Sequence, residues 1–157
     1  MAGTDAIQVH QRPWGKAAGA ICYDYDFPKL AQTHAQGGAG MVLVPSADWR
    51  SIDPHHTLMA RLRAIEAGLS VVRPVQAATS MMFNAYGQTL ASMSNKANDQ
   101  GIFIASVPTQ AITTVYSQCG DWPVILAVLS LLLVLLAIWQ NKQQLAELEE
   151  KTNRKQT

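Results

Sequence analysis

The chain has 157 residues and a formal net charge of +1, from 12 Lys and Arg against 11 Asp and Glu, so no basic excess marks it for nucleic acid. Its two cysteines, Cys22 and Cys119, give no disulfide framework, and a bridge between them is not expected. Length allows one domain of ordinary size, and residues 1–20 hold no apolar core of the length a secretory signal needs.

Residues 1–16 are polar and rich in turn formers, with Ile7 and Val9 alternating as an edge strand. Residues 16–22 are small and apolar, which suits a buried central strand. A helix is expected over 27–36, with Pro28 in its first turn, where a missing N–H costs nothing, and Gly37-Gly38 as its stop. Residues 41–44 form a second buried strand, ended by Pro45. The next helix, 54–67, places Leu58, Leu62, Ile65 and Leu69 at helical spacing and stops at Gly68. Another strand covers 70–75. Residues 80–83 and 89–93 then flank a hairpin loop in which Gly87 suits a positive φ. A loop at 95–100 leads to a last alternating strand at 102–107. Strands alternate with helices first and with hairpins later, an α/β pattern built on a mixed sheet.

From Trp122 to Trp139 there is no charged residue. As a helix this stretch rises about 27 Å, close to the thickness of a bilayer's hydrocarbon core. Tryptophans bracket it as interfacial anchors do, Asp121 stands at the capping position and Pro123 in the first turn. Lys142, Lys151, Arg154 and Lys155 follow the span, while residues 102–121 hold no Lys or Arg. The positive-inside rule therefore puts the tail in the cytoplasm and the α/β part outside. The boundaries expected are 1–119 for the α/β part, 120–140 for a transmembrane helix and 141–157 for a polar tail, a short solvated helix.

Chemistry concentrates at residues 20–28, Ala-Ile-Cys-Tyr-Asp-Tyr-Asp-Phe-Pro. This is an apolar strand running out to a turn with a thiol at its carboxyl end, where α/β sheets gather reactive groups. A buried structural cysteine is the plainer alternative. Asp48 and Trp49 follow the second strand's end and line the same cleft, although Trp49 serves packing equally well. His55 and His56, near Asp53, do not make a metal site, because adjacent helical residues point about a quarter-turn apart. Arg63 and Glu66, three residues apart, form a surface ion pair.

The stretch Ile21-Cys22-Tyr23-Asp24 with Phe27-Pro28 resembles the nucleophile segment of the carbon–nitrogen hydrolase (nitrilase) superfamily. So do residues 13–16, 44–49 and 56–66, each at its expected place. Residues 113–116 and Gly120-Asp121-Trp122-Pro123 before an apolar span resemble the superfamily's membrane-embedded branch, the apolipoprotein N-acyltransferases. Asp24 stands where that branch usually carries Glu and many amidases carry Asp. Gln76-Ala77-Ala78 replaces an Asn-Gly that commonly follows the Arg73 strand.

The resemblance implies the C-terminal portion of an α-β-β-α sandwich. Cys22 would be the nucleophile of a thioester mechanism that needs no metal and no cofactor. The Tyr23 N–H would donate to the oxyanion, and Asp24, Asp48 and Trp49 would line the cleft. The family's Glu base and Lys lie upstream of the nucleophile, on segments this chain does not contain. A fragment is therefore expected, lacking the N-terminal half of its domain. The substrates implied are a phospholipid acyl donor and a lipoprotein amine, at the inner membrane, with the α/β part periplasmic or extracellular. A membrane-tethered amidase and a non-catalytic remnant are the alternatives.

Overall fold

The computed structural model describes residues 8–94 and 101–156. It divides into two compact units, 1–120 and 121–157.

The first unit is built on a six-stranded sheet of order β1-β2-β3-β5-β7-β8. Its strands are β1 (Val9–Arg12), β2 (Gly15–Gly19), β3 (Met41–Leu43), β5 (Ser70–Arg73), β7 (Thr79–Phe83) and β8 (Thr89–Ser94). The strands β2, β3 and β5 run parallel, and antiparallel pairs flank them on both sides. A second, two-stranded parallel sheet pairs β4 (Ser46–Ala47) with β6 (Val75–Gln76). The expected strand over 70–75 is thus split at Pro74, which has no N–H to offer a ladder.

Two helices follow strands as crossovers, α1 (Pro28–Gln36) and α2 (His55–Ala67). Pro28 begins α1, and Gly68, at φ 70°, closes α2 with its N–H donating to the Ala64 carbonyl. Side chains alternate across a strand, so each cross-strand row belongs to one face. The row Ala18, Val42, Val71 and Phe83 is fully buried and packs with Ala31, Ala60, Ala64 and Ala67 of the helices. The next row, Gly19, Leu43, Val72 and Met82, lies on the opposite face and is more open, with Leu43 at 45% exposure.

Three expectations need correction. The core face of α2 is not the leucine stripe: His56, Ala60, Arg63, Ala64 and Ala67 are buried, while Leu58, Leu62 and Ile65 face outward. Alanines let the helix approach the sheet closely, and only Leu69, beyond the stop, reaches the core. The strand expected at 16–22 ends at Gly19, because the chain enters a 3-10 turn at Cys22–Asp26.

The strand expected at 102–107 is absent: residues 101–114 form no ladder among the described residues, and Ile102 and Ile104 are exposed. This segment is instead held at isolated points. Ser70 Oγ donates to the Pro108 carbonyl at 2.7 Å, Thr109 Oγ1 to Trp14 O at 2.6 Å, and the Ile112 N–H to Gly68 O at 2.8 Å. Gly40 makes that route possible, since a Cβ there would lie 1.9 Å from the Thr109 carbonyl oxygen. Ile7 and the loop at 95–100 lie outside the described residues.

Thr114 then caps α3 (Val115–Cys119) with a reciprocal Ser117 bond. The second unit is one helix, α4 (Trp122–Gln156). Its segment Trp122–Leu145 holds an 18-residue window of mean hydropathy 2.6 and is long and apolar enough to cross a membrane. Leu145 is exposed on the continuation of this helix.

Candidate active site

The carboxyl ends of β2, β3 and β5 converge on Cys22. After β2 the Ala20 N–H still donates to Leu43 O at 3.0 Å, and the Cys22 N–H donates to Pro45 O at 3.0 Å. Between these anchors the backbone turns sharply, and Cys22 sits at φ 50°, in the left-handed region. For a residue with a Cβ this conformation costs about 1–3 kcal/mol and persists where its surroundings fix it. The turn closes with the Asp24 N–H on Ile21 O at 2.9 Å. The result is a half-buried thiol lifted out of the sheet at the head of the turn.

Beneath the thiol lies a charged cluster. Asp48, just past β4, is 6% exposed, His56 in the first turn of α2 is 3%, and Arg73 at the end of β5 is fully buried. Asp48 Oδ1 lies 3.9 Å from Cys22 Sγ and 2.8 Å from His56 Nδ1. Arg73 donates one amino group to both Asp48 oxygens, at 3.2 and 3.1 Å. The other His56 nitrogen, Nε2, lies 3.0 Å from Asp26 Oδ2, an ionic contact off the line of a hydrogen bond. Both ring nitrogens therefore face carboxylates, Nδ1 within hydrogen-bond reach of Asp48 and Nε2 close to Asp26. The guanidinium of Arg73 pairs with Asp48 at the bottom of the cluster, as a buried charge must find a partner.

Around this cluster the other side chains divide. Tyr23 is 62% exposed, with its ring edge-on to Phe27 at 5.5 Å and 6.2 Å from the His56 ring. Asp24 is exposed on the rim of an apolar hollow of about 770 Å³, lined also by Ile21, Phe27, Leu30, His34 and Leu43. Deeper in, Tyr25 is fully buried and stacked on His34 at 6.1 Å. Burial raises the Tyr25 phenol far above its usual value, only partly offset by Arg63, and burial alone lowers His34.

Of the residues singled out from the sequence, Cys22 and Asp48 meet, but Asp48 sits under the thiol and not on the cleft wall. Trp49 is 62% exposed. His55 and His56 do point apart, one exposed and one buried, and Asp53 is bound to the Thr79 N–H and Oγ1 at 3.0 Å each. Arg63 and Glu66 pair at 2.9 Å, although Arg63 is buried. Cys22 and Cys119 are both free. Sequence reasoning missed His56 and Arg73 as site residues. The signal for Arg73 was a cation ending the buried run Ser70-Val71-Val72, which has to find an anion at that depth. One donor atom each from Cys22, Asp48 and His56 lie within 4.8 Å of one another, a set that could hold a metal ion.

The family model for carbon–nitrogen hydrolase matches residues 1–116. An apolipoprotein N-acyltransferase of Bradyrhizobium diazoefficiens is 35% identical over 121 residues, covering 75% of this chain and 22% of that protein. The deaminated glutathione amidase of Rattus norvegicus is 36% identical over 93 residues, 52% of this chain and 28% of that one. Among solved structures, the C. elegans NitFhit protein superposes with a TM-score of 0.55 at 30% identity, covering 60% of this chain and 26% of that chain. The chain thus spans less than a third of the length of these curated relatives.

Proposed function

This chain belongs to the carbon–nitrogen hydrolase family, and from that premise we propose that it is the nucleophile-bearing part of a membrane-anchored N-acyltransferase. The observation that carries the reading is the position of Cys22, on a backbone turn in the left-handed region at the carboxyl ends of parallel strands. Relatedness to apolipoprotein N-acyltransferases supports N-acyl transfer over other reactions of a thiol.

In the first half-reaction the Cys22 thiolate attacks an ester carbonyl of a phospholipid. A C–S bond forms, the ester C–O bond breaks and a lysophospholipid leaves. In the second, a lipoprotein's terminal amine attacks the thioester, a C–N bond forms and the thiol is released. The Tyr23 backbone N–H is the proposed oxyanion donor. Asp48 accepts the thiol's hydrogen bond and so orients it, while its carboxylate is already engaged by Arg73 and His56. The base and the accompanying cation are therefore proposed to be the family's Glu and Lys, supplied by a segment beyond this chain. The apolar hollow beside Asp24 offers room for part of an acyl chain.

The charge-free stretch of α4 anchors the protein in the bilayer, with its Lys- and Arg-bearing tail in the cytoplasm and the α/β unit on the other side. Amide hydrolysis is a second reading, favoured by the 36% identity to a rat amidase and by Asp24 where the N-acyltransferase branch usually carries Glu. The test joins this chain to an upstream half carrying Glu and Lys. It follows a labelled acyl chain from phospholipid to a lipopeptide, with and without Cys22→Ala. Cys22-dependent lipopeptide acylation is expected. Cys22-dependent hydrolysis of short amides with no lipopeptide product would move the assignment to an amidase.

A further inference from the structure

We propose that the cluster at Cys22 is also a capture site for a thiophilic divalent cation of the Zn²⁺ type, held by Cys22 Sγ, Asp48 Oδ1 and His56 Nδ1. The bound ion silences the thiol. The three donors are of the kinds zinc prefers, a thiolate, an imidazole and a carboxylate. Their present spacing is near what coordination asks. Four-coordinate zinc separates its ligands by roughly 3.3 to 3.6 Å. Here Sγ and Oδ1 are 3.9 Å apart and Nδ1 and Oδ1 are 2.8 Å apart. All three donor atoms lie within 4.8 Å of one another, so the thiol has to close on Oδ1, and the ring to open from it, by roughly half an ångström each, with Sγ and Nδ1 drawing together by up to about an ångström, movements that side-chain torsions supply.

The groups behind the donors point the same way. A metal-binding histidine usually gives its other N–H to a carboxylate, which fixes the tautomer and the ring plane. Asp26 Oδ2 already stands 3.0 Å from His56 Nε2, and a small turn of either side chain would bring it onto the hydrogen-bond line. Arg73 holds the Asp48 carboxylate from behind in the same manner. Charge complementarity favours a cation as well: two carboxylates, Asp26 and Asp48, face the single guanidinium of Arg73, and on coordination the Cys22 thiol gives up its proton to solvent. The half-buried thiol gives the ion its entry and leaves a fourth position for water. The bound ion withdraws charge from the thiolate and stands beside it in the place a carbonyl would approach, so metal occupancy competes with acyl transfer. Metal capture needs only these side chains and holds whether the enzyme acylates amines or hydrolyses amides.

The test uses the full chain in detergent with Co²⁺ as the spectroscopic probe and Zn²⁺ as competitor. One equivalent of Co²⁺ is expected to give a thiolate charge-transfer band that Zn²⁺ abolishes. Cys22→Ser should lose the band, Asp26→Asn should weaken binding about ten- to a hundredfold, and Cys119→Ser should change nothing. In the unmodified protein, Zn²⁺ should slow alkylation of Cys22 but not of Cys119, and a chelator should restore the rate. Co²⁺ binding without a thiolate band, equal affinity in Cys22→Ser, or Cys22 alkylation indifferent to Zn²⁺ would each overturn the proposal. The last readout needs no variant, so a misfolded mutant cannot rescue it.

Discussion

The two ends of the same three parallel strands are held by opposite means. At their amino ends, Gly15, Gly40 and Gly68 leave space for the segment 108–114, which is bound by neutral hydrogen bonds to Trp14 O, Gly68 O and Ser70. At their carboxyl ends a strained cysteine sits over Arg73, Asp48, Asp26 and His56, all buried or half-buried. Neutral bonds beside glycine are satisfied by almost any sequence that folds this way. A buried charge cluster adds little net stability, because desolvation offsets the attraction. Its presence under Cys22 is better understood as fixing the position of the thiol and of the turn that carries it.

This contrast can be broken from either side. The largest stability effect is expected from Arg73→Met, which leaves Asp48 short of its main partner and should lower stability by about 3–5 kcal/mol in denaturant unfolding. Adding Asp48→Asn to that variant should recover part of the loss; no recovery would mean that Arg73 acts through packing alone. At the other end, Gly40→Ala drives a methyl into the Thr109 carbonyl and should cost about 1–3 kcal/mol. Cys22 reactivity should stay unchanged there, since the two ends are independent. Altered alkylation of Cys22 in that variant would show that the ends are coupled.

Smaller effects sharpen the picture. Ala77 holds φ 64°, in the left-handed region that favours glycine, so Ala77→Gly should stabilise the fold by up to about 1 kcal/mol. An unchanged unfolding midpoint would argue against that backbone. His34 is held below its usual pKa by burial, so the folded state prefers the neutral ring. The unfolded chain binds a proton first as pH falls. This contribution to stability is therefore complete above about pH 6.5, the ordinary value for His, and is lost as pH falls from there through the lowered folded value. His34→Phe should flatten that part of the stability profile.

Much of the fold was legible because local signals and packing agree. The strands expected at 41–44 and 70–75 supply the central β3 and β5, the second of them cut short at Pro74, Gly68 stopped its helix, and Pro28 opened the helix after the nucleophile turn. The errors arose where a correct pattern had another use. Leu58, Leu62 and Ile65 do recur at helical spacing, yet alanines take the core face because only they let α2 sit close to the sheet. Ile102 and Ile104 do alternate, but no sheet edge among the described residues receives them. For the site, Cys22 could be read from its flanks. The meeting of Asp48, His56 and Arg73 could not, because it depends on three elements converging through parallel register, which spacing along the chain does not encode.

The central claim is that Cys22 is placed to take an acyl group, and the chain contains its own control. Cys119 is exposed and Cys22 only half-buried, so simple accessibility favours Cys119. The direct measurement is mass spectrometry of the protein in detergent after brief exposure to an activated acyl ester, with hydroxylamine to identify thioesters. A hydroxylamine-labile acyl group on Cys22, formed ahead of any on Cys119, is the expected result. Acylation of Cys119 first, with Cys22 unmodified, would contradict it.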